Sequence, residues 1–333
     1  MVTGNNKQVH TYSQIVFYSY MFNINSFSMK TIYFLIMMLV IAFTSCDKDN
    51  GNSEIMQSES LLSVKTDLSE MLSRAAMPSG SEMGLFVTTG NLGGVYDNTT
   101  SNNNVKAVLS GSGWTLTPAV YLSANNAVIY AYAPYSTSVT AGTSIPVNVG
   151  TGKSDYCYGK STGTINAKSP SATISMNHAL TKVRFKLSKT STYTGAGKLT
   201  EISVNGSTNN TVCASGTLDI STGKITATTT SSHVITQTNA SGLYTITTTT
   251  PSDATAAALD MALIPAIFEE KEVNVAFTID SKIFNFSLPK GTWEKGKINT
   301  YTLSLGGAGL TMANANVTVE DWVNGVTASG ELK

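Results

Sequence analysis

The chain has 333 residues, 21 basic and 21 acidic side chains, and only 13% charged residues. Zero net charge with no basic stripe excludes a nucleic-acid-binding surface built on phosphate contacts. Thr, Ser, Asn and Gly are abundant and the aromatics are mostly Tyr and Phe, a mix suited to strands and turns in an extracytoplasmic all-β protein.

Residues 1–28 precede a second possible start at Met29 and are read as a mis-assigned start or a disposable extension. Residues 29–45 form a secretory signal: Lys30 supplies the charge, Ile32 to Phe43 the apolar run, and Thr44 and Ser45 the small residues before the cut. The run is too short to span a bilayer comfortably. Cys46 at the cut position resembles the lipobox of bacterial lipoproteins. That pattern implies a thiol carrying diacylglycerol and an acylated new amino end, and several acyl chains give stable membrane anchoring. Residues 46–57 are short, polar and charged and read as a tether.

From Ser58 to Ala76 two periods compete. Leu61, Val64, Leu68, Met71 and Ala75 lie at helical spacing, whereas Leu62, Val64, Thr66 and Leu68 alternate. A strand followed by a loop is preferred because everything downstream reads as β. Strand-like segments follow at Met83 to Thr88, Val105 to Leu109, Trp114 to Thr117, Ala127 to Ala133 and Asp155 to Tyr158, punctuated by Gly, Asn and Pro. Ala172 to Leu187 reads as one long alternating run with His178 near its middle. Leu199 to Val204, Cys213 to Ile220, Gly223 to Thr228, Leu243 to Thr248 and Met261 to Ile264 come next. Val273 to Ile279 and Ile283 to Leu288 flank Asp280-Ser281-Lys282, a hairpin signal. Tyr301 to Leu305 and Asn316 to Trp322 close the series. Many short strands with almost no helix predict sandwiches or barrels. A shift in pattern near Ser171 divides the expected domains into 58–171 and 172–333.

No constellation for catalysis, cofactor binding or metal binding emerges. Gly150-Thr151-Gly152-Lys153-Ser154 ends like a phosphate loop, but Val147 stands where the first glycine is needed and no helix follows. Asp47 and Asp49 begin like a calcium loop, yet Asn52 and Ser58 occupy the glycine and glutamate positions. His178 and His233 are isolated in sequence, and neither Cys157 nor Cys213 has a histidine near it. His178 is expected to be packed and hydrogen-bonded. Cys157 and Cys213 are expected to be free, partly buried thiols rather than a bridge. The chain is therefore read as a non-enzyme without cofactors.

Several segments, in order, resemble one family. Val128-Ile129-Tyr130-Ala131-Tyr132-Ala133-Pro134-Tyr135-Ser136, with Trp114 upstream, resembles the aromatic strand of Bacteroidales fimbrillins, which are pilus subunits and adhesins. Ile174-Ser175-Met176-Asn177-His178-Ala179-Leu180 is similar to the segment that opens their second domain. Met261-Ala262-Leu263-Ile264-Pro265, Gly296-Lys297-Ile298-Asn299-Thr300-Tyr301-Thr302-Leu303 and Trp322 match later motifs, with Ala266 and Asn299 departing from the common residues. Ser73-Arg74-Ala75 resembles the processing site after the first strand. The resemblance implies two tandem β-sandwich domains of transthyretin-like topology. It also implies cleavage at Arg74 and donor-strand exchange with other fimbrial subunits, in a surface-exposed fimbrium at the outer membrane. Arg74 has the alternative reading of a surface arginine in a loop, and the host or bacterial receptor stays open. A second function, glycan or small-ligand binding, would need Tyr121, Tyr130, Tyr132 and Tyr135 exposed on one face; alternation puts Tyr130 and Tyr132 together, with core the favoured side.

Overall fold

A computed structural model describes residues 59–67, 77–111, 113–207, 211–230, 232–313 and 317–322. The described residues are nearly all β, with one short α-helix at Asp253–Ala256. Residues from Gln57 onward form one compact unit. None of its described helices is long and apolar enough to cross a membrane.

The largest sheet has seven strands. Its order is Ser63–Asp67, Ser171–His178, Cys157–Thr162, Val128–Ala133, Glu82–Thr88, Val105–Ser110 and Gly113–Thr117. All neighbours are antiparallel except the first pair, where Ser63–Asp67 runs parallel to Ser171–His178. The sheet curls far enough for its two edges to meet, and Trp114 Nε1 donates to Thr66 Oγ1 at 3.3 Å. Leu62, Val64, Leu85, Val87, Ile129, Ala131, Ile174 and Met176 fill one core beneath it. The preference for a strand in 58–76 holds for its described part: Ser60–Leu61 and Ser63–Asp67 are both strands.

Two five-stranded sheets dominate the rest. In one, Thr181–Lys189 lies between Met261–Leu263 and Lys297–Gly306; the latter also pairs with Gly309–Met312 and Thr318–Asp321. In the other, Lys198–Gly206 lies between Val234–Thr238 and Val273–Ile279, which continues to Lys282–Ser287. The hairpin at Asp280-Ser281 forms as expected. Both residues have positive φ, 49° and 64°, the twist that matches flanking antiparallel strands. Phe185, Phe277, Tyr301 and Leu303 anchor this second core, with Phe185 edge-on to Phe277 at 5.2 Å.

Two features cut across the simple strand order. The run Ala172 to Leu187, read as one alternating segment, is two strands that end at His178 and restart at Thr181. The break is visible in parity. Ile174, Met176 and His178 are buried at even positions, but Val183, Phe185 and Leu187 at odd ones. One continuous strand cannot turn both sets to the same side, so the chain leaves one sheet at Ala179-Leu180 and enters another. The strand Ile145–Asn148 lies outside the segments read from the sequence, and its Pro146 fits only an edge position. It is an edge strand on Ser215–Asp219 with Pro146 exposed, and Val147 and Ile145 point into the second core.

Candidate functional site

The two residues singled out for processing, Cys46 and Arg74, lie outside the described residues. The element that Arg74 would release is described in part. Leu62 and Val64 are 3% and 2% exposed, whereas Leu61 and Lys65 face out. Burying two such side chains contributes about 3–6 kcal/mol. The backbone is held by a five-residue parallel ladder to Ser171–His178, with Leu62 N donating to Val120 O and Ser63 N to Pro170 O. Ser60–Leu61 adds a two-residue pairing with Tyr121–Leu122. The segment is thus an edge strand that plugs an apolar trough.

The tyrosines considered for ligand binding do not make an exposed platform. Tyr130 and Tyr132 share one face as alternation requires, and that face is core: they are 4% and 0% exposed. Tyr132 hydroxyl donates to Asn104 Oδ1 at 2.7 Å, and burial pushes its pKa up to about 12. Tyr121 is exposed and Tyr135 packs partly against the second core.

A polar cluster forms where the chain crosses between the two cores. The register of the seven-stranded sheet places Cys157 directly opposite His178. Asp155, just before that strand, brings its Oδ2 to 2.8 Å from His178 Nδ1. Cys157 Sγ lies 3.6 Å from the same Nδ1 and donates to Asp155 Oδ2 at 3.7 Å. His178 stacks face to face on Trp322, ring centroids 3.8 Å apart. Lys182 Nζ sits 4.1 Å over that indole and 3.6 Å from Asp260. Arg184 clamps Asp260 with two bonds of 2.8 Å, a bidentate geometry that raises the guanidinium pKa.

His178 is therefore packed and hydrogen-bonded, as expected, and Trp322 is its partner. Residues from distant motifs meet here: His178, Gly296, Lys297 and Trp322 line a cleft of ≈ 270 Å³. Trp322 N donates to Gly296 O and Gly296 N to Leu180 O, and Gly296 has a φ of +69° that favours glycine. Sequence reasoning missed Cys157 and Asp155 because their nearness to His178 depends on strand register, not on sequence distance.

The cluster has the residue types of a cysteine-histidine-carboxylate triad without its order. Asp155 and Cys157 address the same imidazole nitrogen, whereas a nucleophile and an orienting carboxylate need opposite ring nitrogens. Burial first, and then the Asp155 charge, push the Cys157 thiol well above its ordinary pKa, which suppresses the thiolate a nucleophile requires. No disulfide joins Cys157 and Cys213, and both are buried.

Among curated proteins no match was found. Solved structures share the fold, among them two with TM-scores above 0.5. A candidate cell adhesion protein from Bacteroides uniformis is 18% identical with a TM-score of 0.58, over 79% of this chain and 99% of that one. A candidate cell adhesion protein from Bacteroides ovatus is 15% identical with a TM-score of 0.57, over 81% and 100%. The model of the fimbrillin-like family matches residues 73–322, a span that takes in most of both cores and ends at the tryptophan stacked on His178. On that match the chain belongs to the fimbrillin-like family.

Proposed function

We propose that this protein is a non-enzymatic pilus subunit or cell-adhesion lipoprotein, exported to the outer membrane surface, anchored through Cys46 and assembled into a fimbrium by strand exchange. Family membership supports the pilus or adhesin role. The observation that carries the mechanism is the edge strand Ser63–Asp67, held on one side by a parallel ladder and seated by Leu62 and Val64. Cleavage after Arg74 would let that segment leave. Its departure opens a row of backbone donors and acceptors along Ser171–His178 beside an apolar trough, a template for another subunit's strand. A head-to-tail contact of this kind does not close and grows a filament. Two β-sandwich domains remain the proposed division of the mature chain, with the change of sheet at Ala179-Leu180 as the boundary in place of the expected residue 171, because Ser171–His178 belongs to the seven-stranded sheet. A glycan-binding role lacks support from Tyr130 and Tyr132, which are buried.

The test is an arginine-specific protease applied to the full chain. Intact mass of the untreated protein reads lipid on Cys46, and size-exclusion chromatography follows assembly after cutting. The expected result is loss of the segment up to Arg74 and growth of dimers and longer chains, with Arg74→Ala staying monomeric. A cut protein that remains a stable monomer overturns strand exchange for this subunit.

A further inference from the structure

We propose that Asp155, Cys157 and His178 form a site for one zinc-class divalent cation at the crossing between the two cores. Their ligand atoms lie within 4.8 Å of one another. The three edges of that triangle are 2.8 Å from Nδ1 to Oδ2, 3.6 Å from Nδ1 to Sγ and 3.7 Å from Sγ to Oδ2. Zinc bonds run about 2.0–2.1 Å to imidazole, about 2.0–2.2 Å to carboxylate and about 2.3 Å to thiolate, so one face of a tetrahedral centre has edges of roughly 3.6 Å at sulfur and roughly 3.4 Å between nitrogen and oxygen. Both sulfur edges are already in place. Only the nitrogen–oxygen edge must open, by roughly half an ångström, as a direct contact gives way to two metal bonds.

The rest of the cluster fits the same occupant. Ionised Asp155 and the Cys157 thiolate together carry the two negative charges that neutralise a divalent ion. Thiolate and imidazole favour zinc over magnesium or calcium. Asp155 Oδ1 is buried without a hydrogen-bond partner, so the carboxylate keeps polar capacity that hydrogen bonding within the cluster does not use. Lys182, the nearby cation, is turned to Asp260 and the Trp322 face. The Asp155 side chain is 37% exposed, which leaves a path for the ion and space for water as a fourth ligand. On binding, the Cys157 thiol releases one proton and the proton on Nδ1 moves to Nε2. The ion then ties the loop at Asp155 to the end of Ser171–His178, the corner where the chain leaves the seven-stranded sheet.

Cobalt reports on such a site, because a thiolate–cobalt bond gives an intense near-ultraviolet charge-transfer band. The full chain, stripped of metal by a chelator, is titrated with Co²⁺ and then Zn²⁺. One equivalent of Co²⁺ should produce the band and Zn²⁺ should remove it. The double variant Cys46→Ser/Cys213→Ser should keep the band, and Cys157→Ser should lose it. Asp155→Asn, a change at a half-exposed side chain, should weaken binding by at least about tenfold while circular dichroism stays strand-dominated. Zinc should raise the melting temperature of the parent chain and not of Cys157→Ser. A folded parent chain that gives no band at one equivalent, or a band that survives Cys157→Ser, overturns the site.

Discussion

The strands Ser63–Asp67 and Thr181–Lys189 each pair in parallel with a neighbour, yet they are held very differently. Ser63–Asp67 has one ladder of five residue pairs, with Leu62 and Val64 as its apolar contribution. Thr181–Lys189 is paired on both sides, antiparallel to Met261–Leu263 and through eight residue pairs to Lys297–Gly306. It buries Val183, Phe185 and Leu187 completely and the Arg184 guanidinium nearly so. A parallel ladder by itself does not decide whether a strand is permanent. The number of neighbours and the volume of side chain beneath it do.

The largest effect should come from the strand paired on both sides. Phe185 is fully buried, edge-on to Phe277 and stacked near Tyr301. Phe185→Ala should cost about 3–5 kcal/mol in denaturant unfolding, since the site is too crowded to collapse. A loss below 1 kcal/mol would mean that this core is looser than its packing indicates.

At the edge strand the cost should be smaller. Leu62→Ala should cost about 2 kcal/mol, at the low end for buried leucine, because an edge site relaxes more readily. The same variant should speed release of the amino-terminal segment after arginine-specific cleavage, read by mass spectrometry. Equal costs at Leu62 and Phe185 would erase the contrast between the strands.

The smallest effect is electrostatic and sits at the hairpin of the second core. Burial pushes the Asp280 carboxyl up, but the N–H groups of Gly197 and Lys198 and the Tyr193 hydroxyl outweigh it and hold the pKa below the ordinary carboxylate value. A carboxyl depressed in the folded state adds stability above its unfolded pKa and loses it as pH falls through the folded one. The parent chain should therefore lose more stability than Asp280→Asn when acidified below about pH 4. Parallel acid-unfolding curves would remove Asp280 from the account.

Much of the fold was legible because β structure writes itself in period two. Val105–Ser110, Val273–Ile279 and the Asp280-Ser281 turn fall where alternation and turn residues put them, and Glu82–Thr88 and Val128–Ala133 where apolar runs bounded by turn residues do. Short strands such as Ala266–Phe268 and Gly291–Trp293 were not legible, since three residues carry too little pattern. The site was half legible. His178 and Trp322 stood out as motif residues, but nothing in sequence says that their rings stack or that Cys157 and Asp155 join them.

The sequence by itself determined the all-β class, the alternating faces, the hairpin and the family, because each depends on neighbours a few residues apart or on motif order. Tertiary structure alone decided that Tyr130 and Tyr132 face the core, that the run through His178 changes sheets at Ala179-Leu180, and that Asp155, Cys157 and His178 converge. Those outcomes rest on strand register and on which sheet covers which face. Alternation cannot supply either: it says that two residues share a side, and only the packed neighbour says which side is buried.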